Sequence, residues 1–350
     1  MKDCGVLTDR GELNFSSLSL YRNAVYGVAA IWIVLFHGVI LDKVEFSASL
    51  SFFKDTLELG NIGVDIFLLL SGIGLYFSYS KKPRLGQFYY RRFVRIYLPY
   101  LLIAIPYLVY ACLIRSRLIG IFIMKVFTVW FWVGDDKPLK LWFIPAMLLF
   151  YLLYPLIYKV IFFREKGAFL RTLLLVLLTF GLTVIAFYYA KDFYSRFDQV
   201  LPRLGVFILG CYLGKLVKEK RRMPVLVVII GMMVIAGAYP LYARAVLHGV
   251  WRRYYGSLTG VALTFVLPQL FVGLSRIKLD KFFAFFGGFS LEIYLATIVA
   301  RTIYSKTTFY GDHAWRNYLI AMAGAMVIAY LISMLEKPIL KALMPVKKKT

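Results

Sequence analysis

The chain has 350 residues, 61% of them hydrophobic and 17% charged, with a mean hydropathy of +0.73. These values exclude a soluble domain of this length, because apolar runs of membrane-spanning length recur from residue 21 to residue 335. The formal net charge is +24, but the Lys and Arg residues sit mostly in short loops, which points to membrane topology and not to nucleic acid.

The first 20 residues are a polar segment. The apolar run behind them is long and lacks a small-x-small cleavage site, so it reads as a helix and not as a removable signal. About ten spans are expected, near 21–41, 60–79, 93–114, 140–161, 171–190, 203–217, 224–243, 254–273, 282–304 and 315–335. The expected fold is all-α, a polytopic transmembrane bundle forming one integral membrane domain over 1–350, with membrane lipids around nearly all of it. A further apolar piece, 118–133, is short and carries Lys125. The loops "SKKPRLGQFYYRRFVR" and "YKVIFFREKGAFLR" are both strongly basic, so both are placed in the cytoplasm, with two crossings between them. The piece 118–133 then lies along the outer face or re-enters. This arrangement puts 26 of the 42 Lys and Arg residues inside. Both termini, including the basic tail 336–350, are expected in the cytoplasm. Nothing in the sequence argues against a homo-oligomer.

Within the first helix, "YGVAAIWIVLFHGVI", His37 lies eleven residues after Tyr26. Eleven residues turn a helix through about 1,100°, within about 20° of three full turns, so the two share a face. Arg22 lies one turn below Tyr26, about 22 Å along the axis from His37. The stripe has a cation at the cytoplasmic mouth and an imidazole most of the way across. It suits a long ligand with an anionic end inside and a reactive end near His37. Two readings of His37 stay open: general base near neutral pH, or a cap at the outer interface.

The second helix, "LGNIGVDIFLLLSGIGLYFSYSKK", holds Asp65 at about the level of His37. A carboxylate at that depth needs a partner. It either bonds the His37 ring and fixes its tautomer, or pairs with a structural arginine or backbone group. Gly72 and Gly74 allow close helix contact. The third helix begins "FYYRRFVRIYLPYLL", with Arg91 and Arg95 on one face and Arg92 beside them. Guanidinium forks suit phosphates, although positive-inside anchoring explains the same cluster. Cys4, Cys112 and Cys211 are far apart and have no metal-ligand spacing; no metal is expected.

Taken in order, "VLFH", "GVDIFLLLSG", "FYYRRFVRIYLPY", "LWFIPAMLLFYLLYPLI", "RLGVFILGCYLG" and "FFGGFSLEIYL" resemble the acyltransferase-3 family of bacterial membrane acyltransferases. The resemblance covers residues 21 to about 300. It implies transfer of an acyl group, commonly acetyl from acetyl-CoA, to a hydroxyl of a cell-surface or lipid-linked glycan at the cell inner (cytoplasmic) membrane. It assigns His37 as the catalytic base and Arg91, Arg92 and Arg95 to the phosphates of acyl-CoA; Asp65 is the candidate to orient His37 by the reading of the residues above. The family's usual cation eleven residues before the His is replaced here by Tyr26, so Arg22 is expected to supply the charge. The His that often follows "IYL" is absent; Ala296 and Thr297 stand there. Glu292 is expected to pair with an arginine. Arg203, Trp142 and Tyr294 are candidate oxyanion donors, and no covalent nucleophile stands out, which favours direct transfer. A transporter or flippase of a lipid-linked sugar is the rival reading, using the same aromatic-rich interior.

Overall fold

The computed structural model describes residues 13–42, 51–81, 83–134, 141–238, 240–241, 246–306 and 314–344. Among these the fold is all helical, apart from one isolated bridge between Asn14 and Arg222. The α-helices in chain order are α1 Ser17–Leu20, α2 Arg22–Asp42, α3 Ser51–Glu58, α4 Gly63–Tyr79, α5 Leu85–Leu108, α6 Ile119–Val126, α7 Trp130–Val133 and α8 Phe143–Ile161. They continue with α9 Ala168–Tyr189, α10 Lys191–Phe197, α11 Leu201–Lys218, α12 Val225–Ala238, α13 Gly249–Gly273, α14 Leu279–Gly287, α15 Ser290–Tyr304 and α16 Ala314–Leu343.

Six described helices are long and apolar enough to cross a membrane, or eight if α10 with α11 and α14 with α15 each count as one broken crossing. Among the described residues, length and composition thus count six to eight crossings against about ten expected. The difference has physical causes. The run 224–243 is helical in α12 for only 14 residues, about 21 Å, short of an apolar core of about 30 Å. The runs 203–217 and 282–304 contain or abut breaks. At 21 residues, α2 has the length to span. The piece 118–133 forms α6 and α7, of eight and four residues, neither long enough to cross. Tyrosines of α5 hold it: Tyr97 Oη donates to the Val126 carbonyl at 2.7 Å and Tyr100 Oη to the Lys125 carbonyl at 2.5 Å.

Two compact units emerge. The first comprises residues 1–36, 45–82 and 153–288; the second comprises 37–44, 83–152 and 289–350. In the first, α4 packs on α11, α13 on α4 and α12, and α9 on α11. Small residues set the α4–α11 spacing. A Cβ at Gly210 would lie 2.2 Å from the Leu69 carbonyl oxygen, and one at Gly72 2.6 Å from that of Phe207. Gly74 plays another part. A Cβ there would meet only Nη1 of Arg22, at an ordinary contact distance of 3.9 Å, so no described helix packs closely on Gly74. The described part of the N-terminal segment is built into this unit: Phe15 and Leu18 are buried, and Phe15 N donates to the Arg221 carbonyl at 3.0 Å.

The closest approach in this unit is between α2 and α14. A Cβ at Gly27 would lie 1.8 Å from the Phe283 carbonyl oxygen, and one at Gly287 1.8 Å from that of Asn23. Both obstacles are backbone, which cannot rotate away. Gly27→Ala and Gly287→Ala should each destabilise by about 1–3 kcal/mol or more. Loss of the monodisperse peak at a lower temperature, in heated detergent samples run by size exclusion, would register this. Profiles like the parent's would show that the helices separate freely.

In the second unit, α15 and α16 pack on each other and both pack on α5. α5 and α16 run antiparallel: Tyr90 Oη, near the start of α5, donates to the Leu343 carbonyl at the end of α16 at 3.3 Å. At the other end, Lys306 Nζ donates to Tyr107 Oη at 3.3 Å.

Candidate active site

His37 lies in the last turns of α2, half-buried, and belongs to the second unit. Its neighbour Gly38 has the Tyr318 ring of α16 directly against it: a Cβ there would lie 2.4 Å from Tyr318 Cε1. Tyr318 is buried and meets Tyr304 of α15 edge-on at 5.9 Å. This glycine lets the segment carrying the imidazole lie flat on α16.

Arg91, Arg92 and Arg95 occupy the second and third turns of α5 in the same unit. Arg91 and Arg95 are exposed, one turn apart, and form no ion pair among the described residues. Arg92 is half-buried, with its guanidinium carbon 5.8 Å from the centre of the Phe88 ring. From Arg95 to Tyr107 the helix rises about 18 Å. Tyr107 binds Lys306, two residues beyond Tyr304, at the His37 end of the unit. The arginines and His37 are thus brought into one unit but held at its opposite ends.

Arg22, Tyr26 and Asp65 belong to the first unit. Arg22 is exposed beside Gly74. Tyr26 is half-buried and stacks on Phe67 at 5.1 Å, with 16° between the ring planes. An aromatic replacement at this position finds a ring to pack on, so the stripe read from α2 continues as stacking and not as a second cation.

Asp65 is 1% exposed. Its Oδ2 accepts from Arg203 Nε at 3.2 Å and its Oδ1 from Ser257 Oγ at 2.6 Å. Arg203, itself 5% exposed, also donates through Nη1 to the Gln199 carbonyl at 2.8 Å and through Nη2 to the Asn61 carbonyl at 3.4 Å. Of the two partners left open by the sequence for Asp65, the structure shows the arginine. The geometry depends on Gly260 of α13, where a Cβ would come within 2.7 Å of Asp65 Cβ. Gly260 and Ser257 share a face at i, i+3, so one brings α13 close and the other bonds. Arg203, a candidate oxyanion donor by sequence, is committed to this network.

Glu292 departs from expectation. Among the described residues it hydrogen-bonds to Glu336 of α16, a carboxyl 2% exposed, with Lys337 in electrostatic range and no arginine paired with it. Such a bond needs a proton on one of the two, because an ionised carboxylate only accepts. Of the other candidate donors, Tyr294 lies edge-on to Phe143 at 5.2 Å and Trp142 to the same ring at 6.0 Å. Cys112 and Cys211 are buried free thiols, and Cys4 lies outside the described residues.

Ser257, Arg301, Thr297 and Glu336 were not singled out for a role by sequence reasoning. The available signals were faint: a serine between glycines in "YYGSLTG", and charges inside the apolar runs "YLATIVARTIY" and "AYLISMLEKP". No match to the chain was found among the curated proteins or the solved structures. The model of the acyltransferase-3 family, described as an acyltransferase domain, matches residues 23–334. That range takes in α2 through most of α16 and both compact units. The chain is therefore a multi-pass membrane protein that belongs to the acyltransferase-3 family.

Proposed function

We propose that this acyltransferase moves an acyl group, acetyl in the simplest case, from cytoplasmic acyl-CoA to a hydroxyl of a cell-surface or lipid-linked glycan. The carrying observation is the content of the second unit: two exposed arginines at one end of α5, in no ion pair among the described residues, and His37 at the other end. Phosphates want a guanidinium pair in water at the membrane surface. A thioester wants a base in a drier place. An extended donor held at Arg91 and Arg95 would reach along the helices towards His37. In this reading the α5 start faces the cytoplasm, both termini lie on that side, and the protein resides in the inner membrane. Arg92 stiffens the cluster through Phe88, and Arg22 adds positive charge at the cytoplasmic end of α2, with Tyr26 above it.

The chemistry then needs one base and no covalent enzyme intermediate. His37 takes the acceptor hydroxyl proton as the oxygen attacks the thioester carbon. The C–O bond forms, the tetrahedral adduct collapses, the C–S bond breaks, and the proton passes from His37 to the departing CoA sulfur. Asp65 contributes from the first unit by fixing Arg203 and the packing of α4, α11 and α13.

Release of CoA thiol from acetyl-CoA by the purified chain in detergent, with sugar acceptors added, tests the activity. Absence of any turnover with acetyl-CoA and longer acyl-CoA donors would refute it. Arg91→Ala and Arg95→Ala should each weaken acyl-CoA binding roughly 10- to 100-fold, the loss of one charge-assisted contact. Calorimetric affinities equal to the parent's in both variants would leave the cluster as a topology signal alone.

A further inference from the structure

α15 carries Tyr294, Thr297 and Arg301 at i, i+3 and i+7, on one face. Thr297 is 2% exposed, and its hydroxyl has no hydrogen-bond partner among the described residues. Other helix threonines of this chain behave differently. Thr172, Thr183, Thr259, Thr264 and Thr302 each donate to the carbonyl four residues earlier. That is the ordinary way for a helix hydroxyl to be satisfied in apolar surroundings. Thr297 has the Ile293 carbonyl at the same spacing and does not use it. A buried hydroxyl left unpaired costs free energy, and its persistence points to a partner that arrives later.

Arg301 lies one turn further on, half-buried, just before the end of α15 at Tyr304. No described carboxylate pairs with it. Side chains on a helix lean towards its N-terminus, so the long Arg301 side chain leans back to the level of Thr297. Tyr318 lies within electrostatic range of Arg301, and its ring is the one packed on Gly38, next to His37. Arg301 and the Gly38 segment that carries His37 thus meet at one buried tyrosine, and Thr297 lies one turn from Arg301 in the same compact unit.

We infer that Thr297 and Arg301 form the oxyanion subsite of the transfer reaction, receiving the acyl carbonyl oxygen as it becomes negative beside His37. The assignment rests on the acyl-transfer function proposed above. Attack on the thioester carbon moves an electron pair onto that oxygen. Two donors fixed in advance in a water-poor site stabilise it more in the transition state than in the bound thioester. When the adduct collapses, the pair returns to the carbonyl and the C–S bond breaks, so no further reagent is consumed. A single enclosed hydroxyl suits one oxygen atom and not a whole carboxylate or phosphate.

The test uses the purified full chain with acetyl-CoA, reading CoA thiol release and melting temperature together. Arg301→Met should lower kcat by about 10²–10³-fold, the range for removing one oxyanion donor. Thr297→Val, which keeps the side-chain shape, should lower kcat by about tenfold or more. The KM for acetyl-CoA should stay near the parent value in both, and Arg301→Lys should recover part of the rate. A purely structural role predicts that Thr297→Val keeps its kcat and gains thermal stability, which would overturn the assignment. So would a raised acceptor KM at unchanged kcat in Arg301→Met, the signature of an acceptor-binding arginine. If Arg301→Met does not fold, the Thr297→Val result decides. A parent chain that cleaves no thioester defeats the acyl-transfer function itself; an active parent with unaffected variants defeats only the oxyanion subsite.

Discussion

His37→Ala is expected to lower acyl transfer by about 10²–10⁴-fold, the range for removing a general base. Affinity for acyl-CoA should change little, because the arginines proposed to hold the phosphates lie at the opposite end of the second unit, about 18 Å away along α5. The sequence left a second role open for this imidazole, as an interfacial cap on α2. The structure gives the two roles distinct signatures. The close fit that a structural defect would disturb is at the next residue, Gly38, against the Tyr318 ring. His37 itself is half-buried, so trimming it to Ala leaves that contact in place. The variant should therefore elute as a monodisperse peak and melt near the parent temperature while its turnover collapses. A His37→Ala protein that melts early, yet turns over normally per folded molecule, would end the catalytic reading. His37→Gln keeps a polar side chain of similar reach but cannot take a proton near neutral pH, and it should be as inactive as Ala.

Much of this arrangement is legible in the chain because the relevant patterns are local. The 3.6-residue period relates Arg22, Tyr26 and His37 within one helix and sets Arg91 and Arg95 on one face, and α2 and α5 are continuous over those residues. The same holds for 118–133, where loop charge alone argued against a crossing and the two pieces prove too short to make one. What stayed hidden is pairing across distance. Asp65 and Arg203 are 138 residues apart, and Asp65 and Ser257 are 192 apart. No periodicity relates them. Glu292 was expected to find an arginine because a buried carboxylate usually needs one, but its described hydrogen-bond partner is Glu336 on another helix, with Lys337 in electrostatic range. The span count is less legible for a related reason. Hydropathy reports apolar length, whereas breaks such as that between α10 and α11 depend on how the chain turns against its neighbours.

Arg203→Met is expected to cost about 3–5 kcal/mol of stability, the penalty for stranding one member of a buried ion pair. Asp65 would keep a single described donor, Ser257 Oγ, at 1% exposure. The arginine does more than balance that charge. Through Nη1 and Nη2 it satisfies the carbonyls of Gln199 and Asn61, tying the segment before α11 to the segment before α4. Asp65→Asn should cost less, because a neutral amide oxygen still accepts from Ser257 or Arg203 and the guanidinium keeps its two carbonyls. The double variant Asp65→Asn/Arg203→Met should be more stable than the sum of the single losses predicts, since it strands no charge. These are melting-temperature measurements on detergent-purified protein, best made as a full double-mutant cycle. Activity per folded molecule separates this anchoring role from a direct one at the base. If Asp65 anchors α4, α11 and α13, Asp65→Asn lowers the folded fraction and leaves kcat of the survivors close to the parent's. A kcat loss in Asp65→Asn at unchanged melting temperature would instead place the carboxylate in the proton-transfer chemistry of His37.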